Sequence, residues 1–280
     1  LRHVHTYSIP CRCYNESMNA FEVIVLGLVQ GLTEFIPISS SGHLVIFQQL
    51  FGRESDHLFL EAINIGTFLA LLVYFTLKIV RIVQDIFIRR QFTLARNILL
   101  TSIPAGIVGY ISSDFITGSA FFGSIVVVMI TLFVIGVLMI ILEKLPRLSP
   151  ADDGETLSPL RAITIGGAQM LALIPGVSRS GSTIIAGRLM GLSAKSAAEY
   201  SFLASLPIMA GVTFKVIVDE PEYLVNNAGM LLLGNTVAFI SGLLAVRFLM
   251  HFLATRSLAI FGWYRVGLAG VIAVILLVQL

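Results

Sequence analysis

The chain has 280 residues, of which 56% are hydrophobic and 12% charged, with a formal net charge of +2. A soluble domain carries about 25% charged residues because its surface must face water, so half that share leaves much of this surface facing something else. With a mean hydropathy of +0.92, these values exclude a soluble enzyme, a nucleic-acid binder, a disordered chain and a disulfide-rich secreted domain.

Residues 1–17 open with Leu1 rather than Met and lack the apolar core of a signal peptide. They read as a flexible extension, with Met18 starting a single integral membrane domain over 18–280. Cys11 and Cys13 have no nearby partners with which to form a metal site. Next come two apolar pieces too short to span, 21–35 and 44–51, around a small, polar, Pro-containing centre at 36–43. Three spanning stretches follow at 58–77, 97–111 and 120–142. A second broken pair, 162–174 and 184–192, flanks a polar centre at 175–183 and precedes spans at 198–218, 228–246 and 258–280. Period-two alternation is absent, which argues against barrel strands. Backbone leaving the helix at membrane depth must be buried in protein or line a wet cavity, so each broken pair reads as a re-entrant helical hairpin.

The hairpins are copies of each other. At an offset of 139, Gly27, Gln30, Leu32, Ser39, Ser41 and Gly42 meet identical residues at Gly166, Gln169, Leu171, Ser178, Ser180 and Gly181. A hairpin followed by three spans occurs twice, over about 20–142 and 160–280. Three is odd, so the second copy is expected inverted. The expected fold is therefore an all-α polytopic membrane protein, with six spanning helices and two re-entrant hairpins in an inverted-topology repeat.

Basic residues orient it, because short loops rich in Lys and Arg stay cytoplasmic. Lys78, Arg81, Arg89, Arg90 and Arg96 place the loop after the first span inside, and 112–119 has no basic residue and falls outside. Lys144, Arg147 and Arg161 return the chain inside, the acidic loop of Asp219, Glu220 and Glu222 is outside, and Arg247 and Arg256 are inside. Hairpin one then enters from outside and hairpin two from inside, with their tips near the midplane.

The tips carry the chemistry. Ser39-Ser40-Ser41-Gly42-His43 and Ser178-Arg179-Ser180-Gly181-Ser182-Thr183 gather hydroxyls and free N–H groups at two helix N-termini, which suit phosphate. Ser39, Ser41, Ser178, Ser180 and Thr183 are the expected phosphate contacts, and Arg179 adds a planar fork of donors. Glu34, with Gln30 one turn earlier, is an expected site for a divalent cation, Mg²⁺ or Ca²⁺. Ser40 and His43 supply a nucleophile and a proton-transfer group, and the residues leave open which of them attacks. Serines beside glycines in membrane helices also pack and cap, whereas a Glu and an Arg at membrane depth point to function.

The run from Val29 to His43, containing Gln30, Glu34 and the three serines, and the run Pro175-Gly176-Val177-Ser178-Arg179-Ser180-Gly181-Ser182-Thr183 resemble the bacitracin-resistance family of undecaprenyl-diphosphate phosphatases. The resemblance covers nearly the whole chain from Met18 onward. It implies hydrolysis of a polyprenyl diphosphate to the monophosphate carrier lipid and phosphate, helped by a divalent cation, with Glu34, Ser40, His43 and Arg179 catalytic. It also implies a plasma-membrane protein that recycles a carrier lipid for cell-wall or glycan synthesis. The expected site lies near the midplane and is reached from the outer face, the expected partners are lipid substrate and membrane, and a homodimer is expected. Gln30 stands where many members have a second Glu, and Asn64 where the family's Gln is expected, so no role is carried to Asn64. The rival reading is an inverted-repeat transporter or flippase for an anionic lipid, which would need no nucleophile and acid pair. A phosphatidate-type phosphatase needs a His six residues after its Arg, and Ile185 stands there.

Overall fold

A computed structural model of the protein describes residues 18–51, 56–112, 115–116, 119, 121–146 and 150–278. The expected extension 1–17 and the outermost residues of two expected spans, 120 and 279–280, lie outside the described residues. Among the described residues every regular element is helical, and the chain is a multi-pass membrane protein.

Helix α1 (Ala20–Phe35) begins at a capping box: Asn19 accepts from the Glu22 N–H and Glu22 from the Asn19 N–H, both at 3.0 Å. Its buried stripe is Val23, Leu26, Gly27 and Gln30, while Phe21, Ile24, Leu28 and Leu32 face outward at helical spacing. The chain turns at Ile36–Ser39 and re-enters a helix at once, α2 (Ser40–Leu50).

The expected span at 58–77 is not one helix. It is α3 (His57–Ala62), α4 (Asn64–Tyr74) and α5 (Thr76–Phe87), with α5 bent 70° away. At the first break the Asn64 side chain donates to the Leu60 carbonyl at 2.8 Å. At the bend Thr76 Oγ1 donates to the carbonyls of Leu72 and Val73, so helix-end acceptors are satisfied without a continuing backbone.

Unbroken helices long and apolar enough to cross a membrane are α6 (Thr93–Ile111) and α7 (Ile125–Leu142) in the first half. In the second half come α8 (Pro159–Met170), one 3₁₀ turn at Leu171–Leu173, and α9 (Arg179–Leu189). The long α10 (Ala194–Asp219), the short α11 (Pro221–Asn226), α12 (Ala228–Phe252) and α13 (Ala259–Val278) follow. Of these, α10, α12 and α13 are of spanning length and hydropathy. The 18 residues of α7 reach about 27 Å, close to a bilayer core.

The most extensive helix packing runs between the halves. A Cβ on Gly27 of α1 would lie 2.7 Å from the Gly234 carbonyl of α12, and one on Gly166 of α8 would lie 2.7 Å from the Thr101 carbonyl of α6. Repeat-equivalent glycines thus let each half's first helix lie against a long helix of the other half. Helices α7 and α13 cross at Gly136 and Gly262, each backbone oxygen filling the other's missing Cβ. Polar side chains fasten α6 to α10: Tyr200 Oη donates to the Asn97 carbonyl at 2.8 Å and Ser102 Oγ to the Ala204 carbonyl at 2.6 Å. Across the chain, Tyr223 of α11 donates to Asp56 at 2.8 Å, and burial followed by the Asp56 carboxylate pushes its phenol up.

Candidate active site

The two turns before α2 and α9 share an unusual backbone. Ser39 has φ +77° and Ser178 φ +74°, a left-handed conformation that costs a non-glycine residue about 1 kcal/mol or more. Each puts its hydroxyl over the helix that follows: Ser39 Oγ accepts from the Gly42 N–H at 3.3 Å and Ser178 Oγ from the Gly181 N–H at 3.1 Å. The same partners recur beside them, Ser41 on Ser39 at 3.3 Å and Ser180 on Ser178 at 3.1 Å.

Glu34, on the last turn of α1, links the tips. Its Oε2 accepts from Ser40 Oγ at 2.6 Å and from Gln30 Nε2 at 3.1 Å, while its Oε1 pairs with Arg179. Gln30 also donates to Asn64 at 2.6 Å, so the chain runs Asn64, Gln30, Glu34 and then both Ser40 and Arg179. These groups face one cavity of about 360 Å³, whose polar wall is Gln30, Glu34, Ser40, Ser41, Glu61, Asn64, Ser178 and Arg179. Its remaining wall is mostly apolar, including Leu44, Leu60, Phe122 and Met209. A charged centre beside an apolar wall suits an amphiphile with an anionic head.

Other expected site residues stand behind that wall. Thr183 is buried and donates to the Arg179 carbonyl at 2.8 Å, fixing the turn that carries Arg179. Ser180 donates to the Glu34 carbonyl at 3.3 Å, and Ser39 is fully buried. His43 is also buried, with Nδ1 2.7 Å from the Ser39 carbonyl and Nε2 2.7 Å from Tyr264 Oη. A carbonyl only accepts, so Nδ1 carries the proton, and in the neutral ring Nε2 accepts from Tyr264. The two rings stack with centroids 5.7 Å apart. The group within hydrogen-bond reach of Ser40 Oγ is therefore Glu34, while His43 is engaged elsewhere.

Three residues have roles that sequence reasoning did not assign. Arg265 of α13 is fully buried and donates to Pro37 O at 2.7 Å in the first tip, and to Gly176 O and Val177 O at 3.1 Å in the second. A charge sealed in apolar surroundings on three carbonyls is costly to keep, and here it holds the tips in register. Tyr264 orients His43, and Glu61 adds a second carboxylate to the cavity. The Trp263-Tyr264-Arg265 run was the one signal available, since polar residues inside a spanning segment mark a site.

The donor set tests the expected cation. Glu34, Glu61, Gln30, Asn64 and Ser40 line the cavity and each carries a hard oxygen, a donor chemistry that fits Mg²⁺ or Ca²⁺. Among the described residues no three His, Cys, Asp or Glu side chains cluster into a metal cage.

The chain is similar to known proteins over most of its length. The family model described as "Bacitracin resistance protein BacA" matches residues 23–271. Curated relatives include the Nitrosospira multiformis "Undecaprenyl-diphosphatase", 38% identical over 258 residues, covering 90% of this chain and 93% of the relative. The Acinetobacter baylyi "Undecaprenyl-diphosphatase 3" is 37% identical, covering 93% of this chain and 99% of its own. The Nitrosomonas europaea "Undecaprenyl-diphosphatase" is 36% identical, covering 88% and 90%. The chain belongs to the bacitracin resistance protein BacA family.

Proposed function

We propose that this membrane protein is a phosphatase hydrolysing undecaprenyl diphosphate to the monophosphate carrier lipid and inorganic phosphate, with Ser40 attacking. The observation that carries the reading is the Ser40 to Glu34 hydrogen bond at 2.6 Å, with Arg179 on the other carboxylate oxygen and all three groups facing one cavity. Ser40 Oγ attacks the terminal phosphorus and its proton passes to Glu34. The bridging P–O bond breaks, and the lipid monophosphate leaves with that proton. Water then attacks the phosphoserine, Glu34 moving its proton back to Ser40 Oγ as phosphate departs. Before substrate enters, Arg179 neutralises Glu34; an incoming diphosphate competes for the guanidinium, which frees Glu34 as a base while the fork takes phosphate oxygens. His43 and Tyr264 brace the Ser39 carbonyl and with it the turn that presents Ser40.

Glu34 and Glu61, with Gln30 and Asn64, would hold a divalent cation. When bound, the cation would neutralise charge on the diphosphate oxygens. Within the single membrane domain, the two hairpins are read as re-entrant and the halves as inverted copies, with α3 and α4 together as a sixth crossing. Supporting this are the 139-residue offset, the mirrored serine caps and the Gly27 and Gly166 contacts. The loop basic residues favour a plasma-membrane orientation with the site reached from the outer face.

The test is phosphate release from undecaprenyl diphosphate by the purified protein in detergent, with and without chelator. Release that stops in Ser40→Ala while lipid binding persists supports the reading. Unchanged release in Ser40→Ala, or a phosphorylated His43 trapped during turnover, overturns it.

A further inference from the structure

Helix α5 does not continue the membrane crossing from which it springs. It turns 70° from the preceding segment, and an element that follows a crossing tilted by about 20° and then turns that far runs close to the membrane plane. At about 100° per residue its side chains sort into three arcs. Val80, Val83 and Phe87 share one arc of about 60° and are all exposed. Lys78, Arg81 and Asp85 occupy the opposite arc, where Asp85 is buried and Lys78 pairs with Glu199 of α10 at 3.1 Å, and Ile79 and Ile82 lie between the two, packed on the core. A helix with an exposed apolar face opposite a charged arc that meets the polar edge of the protein is built for a lipid–water boundary.

The charges beside it favour an anionic surface. Arg81 and Arg89 both meet Asp85, and Arg81 also approaches Glu155. Just past the helix, Arg90 and Arg96 are exposed and have no carboxylate partner among the described residues, Arg96 being steadied by two hydrogen bonds to Asn97 Oδ1 at 3.3 and 3.2 Å. They line a cavity of about 610 Å³ where the connection folds back into α6; the cavity's two carboxylates, Asp85 and Glu155, are taken by Arg81 and Arg89, and Phe92 beside them is exposed. Arg90 has φ +59°, so the connection holds it in a conformation non-glycine residues rarely adopt.

The geometry points to α5 as an interfacial helix whose Val80, Val83 and Phe87 face lies in one leaflet, with Arg90 and Arg96 binding the headgroups of anionic phospholipids there. This site lies away from the Glu34 cavity and does not depend on the phosphatase reading. An anionic bilayer contributes enough attraction per surface arginine for about a fivefold preference at each.

The full chain, with Cys11→Ser and Cys13→Ser, would be reconstituted in nanodiscs of phosphatidylcholine with and without phosphatidylglycerol. Spin labels at Val80→Cys and Phe87→Cys should collide more with oxygen than with an aqueous nickel chelate, and a label at Gln91→Cys the reverse. Equal chelate access at all three positions overturns the interfacial placement. Phosphatidylglycerol retained on the protein, counted against phosphatidylcholine by native mass spectrometry, should fall at least fivefold in Arg90→Gln/Arg96→Gln and be kept in Arg90→Lys/Arg96→Lys. Equal retention in the wild type and the Gln variant overturns the headgroup site, as does loss in the Lys variant while the spin labels keep their depths.

Discussion

The two tips have one backbone and two chemistries. Ser39 and Ser178 share a positive φ, a hydroxyl cap on the glycine three residues on, and a serine neighbour two residues on. The positions that differ are the ones the proposed mechanism uses: Ser40 stands where the second copy has Arg179, Glu34 where it has Leu173, and His43 where it has Ser182. The repeat therefore supplies two rigid platforms, and the site arises because they were filled differently. In the proposed mechanism the nucleophile and its base sit on one and the guanidinium on the other, and the Glu34 to Arg179 pair holds the two face to face. A symmetric site would set two serines or two arginines against each other, and neither pair could divide attack from charge neutralisation.

If the first tip owns the chemistry, Ser40→Ala and Glu34→Gln should each lower single-turnover phosphate release by about 10³-fold or more, the scale on which losing a nucleophile or its base is felt. A residual rate within tenfold of wild type in either variant would break the division of labour between the tips. The second tip's share is tested by Arg179→Lys, which keeps the charge and loses the fork. A fall of about 10²-fold in kcat with little change in KM is expected for a group that works mainly on transition-state charge, and a near-normal kcat would reduce Arg179 to a point charge.

Arg265 tests whether the tips act as one unit, because its guanidinium holds carbonyls from both. Arg265→Met leaves Pro37 O, Gly176 O and Val177 O without that donor, at about 1–3 kcal/mol for each buried acceptor. A lower melting temperature in detergent together with loss of activity is expected. Full stability with full activity would mean the tips hold their register without it.

What the sequence made legible followed from contrast with an apolar background. Glu34, Ser40 and Arg179 stood out because polar groups at membrane depth need a reason, and the glycine and serine matches at 139 residues exposed the repeat. Arg265 and Tyr264 were visible as residues but not as partners, because a bond from α13 to both tips spans 228 and 89 residues of chain and no local pattern encodes it. Composition cannot say whether a hydroxyl faces a cavity or its own helix: Ser178 lines the cavity and also caps α9, while Ser39 is fully buried. The bend at Phe75 was missed for a different reason. Residues 58–77 are apolar enough for one span, and the turn depends on Thr76 taking the Leu72 and Val73 carbonyls.

The smallest predicted effect sharpens the comparison most, because it uses the same residue in both copies. Gln30 and Gln169 are repeat equivalents and both are buried. Gln30 bridges Glu34 and Asn64, whereas neither amide atom of Gln169 has a hydrogen-bond partner among the described residues, Leu173 having replaced the carboxylate one turn on. An unpartnered buried amide is a liability that an apolar side chain of similar length removes. Gln169→Leu should thus leave phosphate release within about twofold and hold stability or raise it by up to about 1 kcal/mol, read as an unchanged or higher melting temperature. Gln30→Leu, which strands Asn64 and loosens Glu34, should lower both. Equal damage from the two substitutions would show that the second copy's glutamine still works at its ancestral position, and the functional asymmetry of the tips would have to be drawn more narrowly, at Ser40, Glu34 and Arg179 alone.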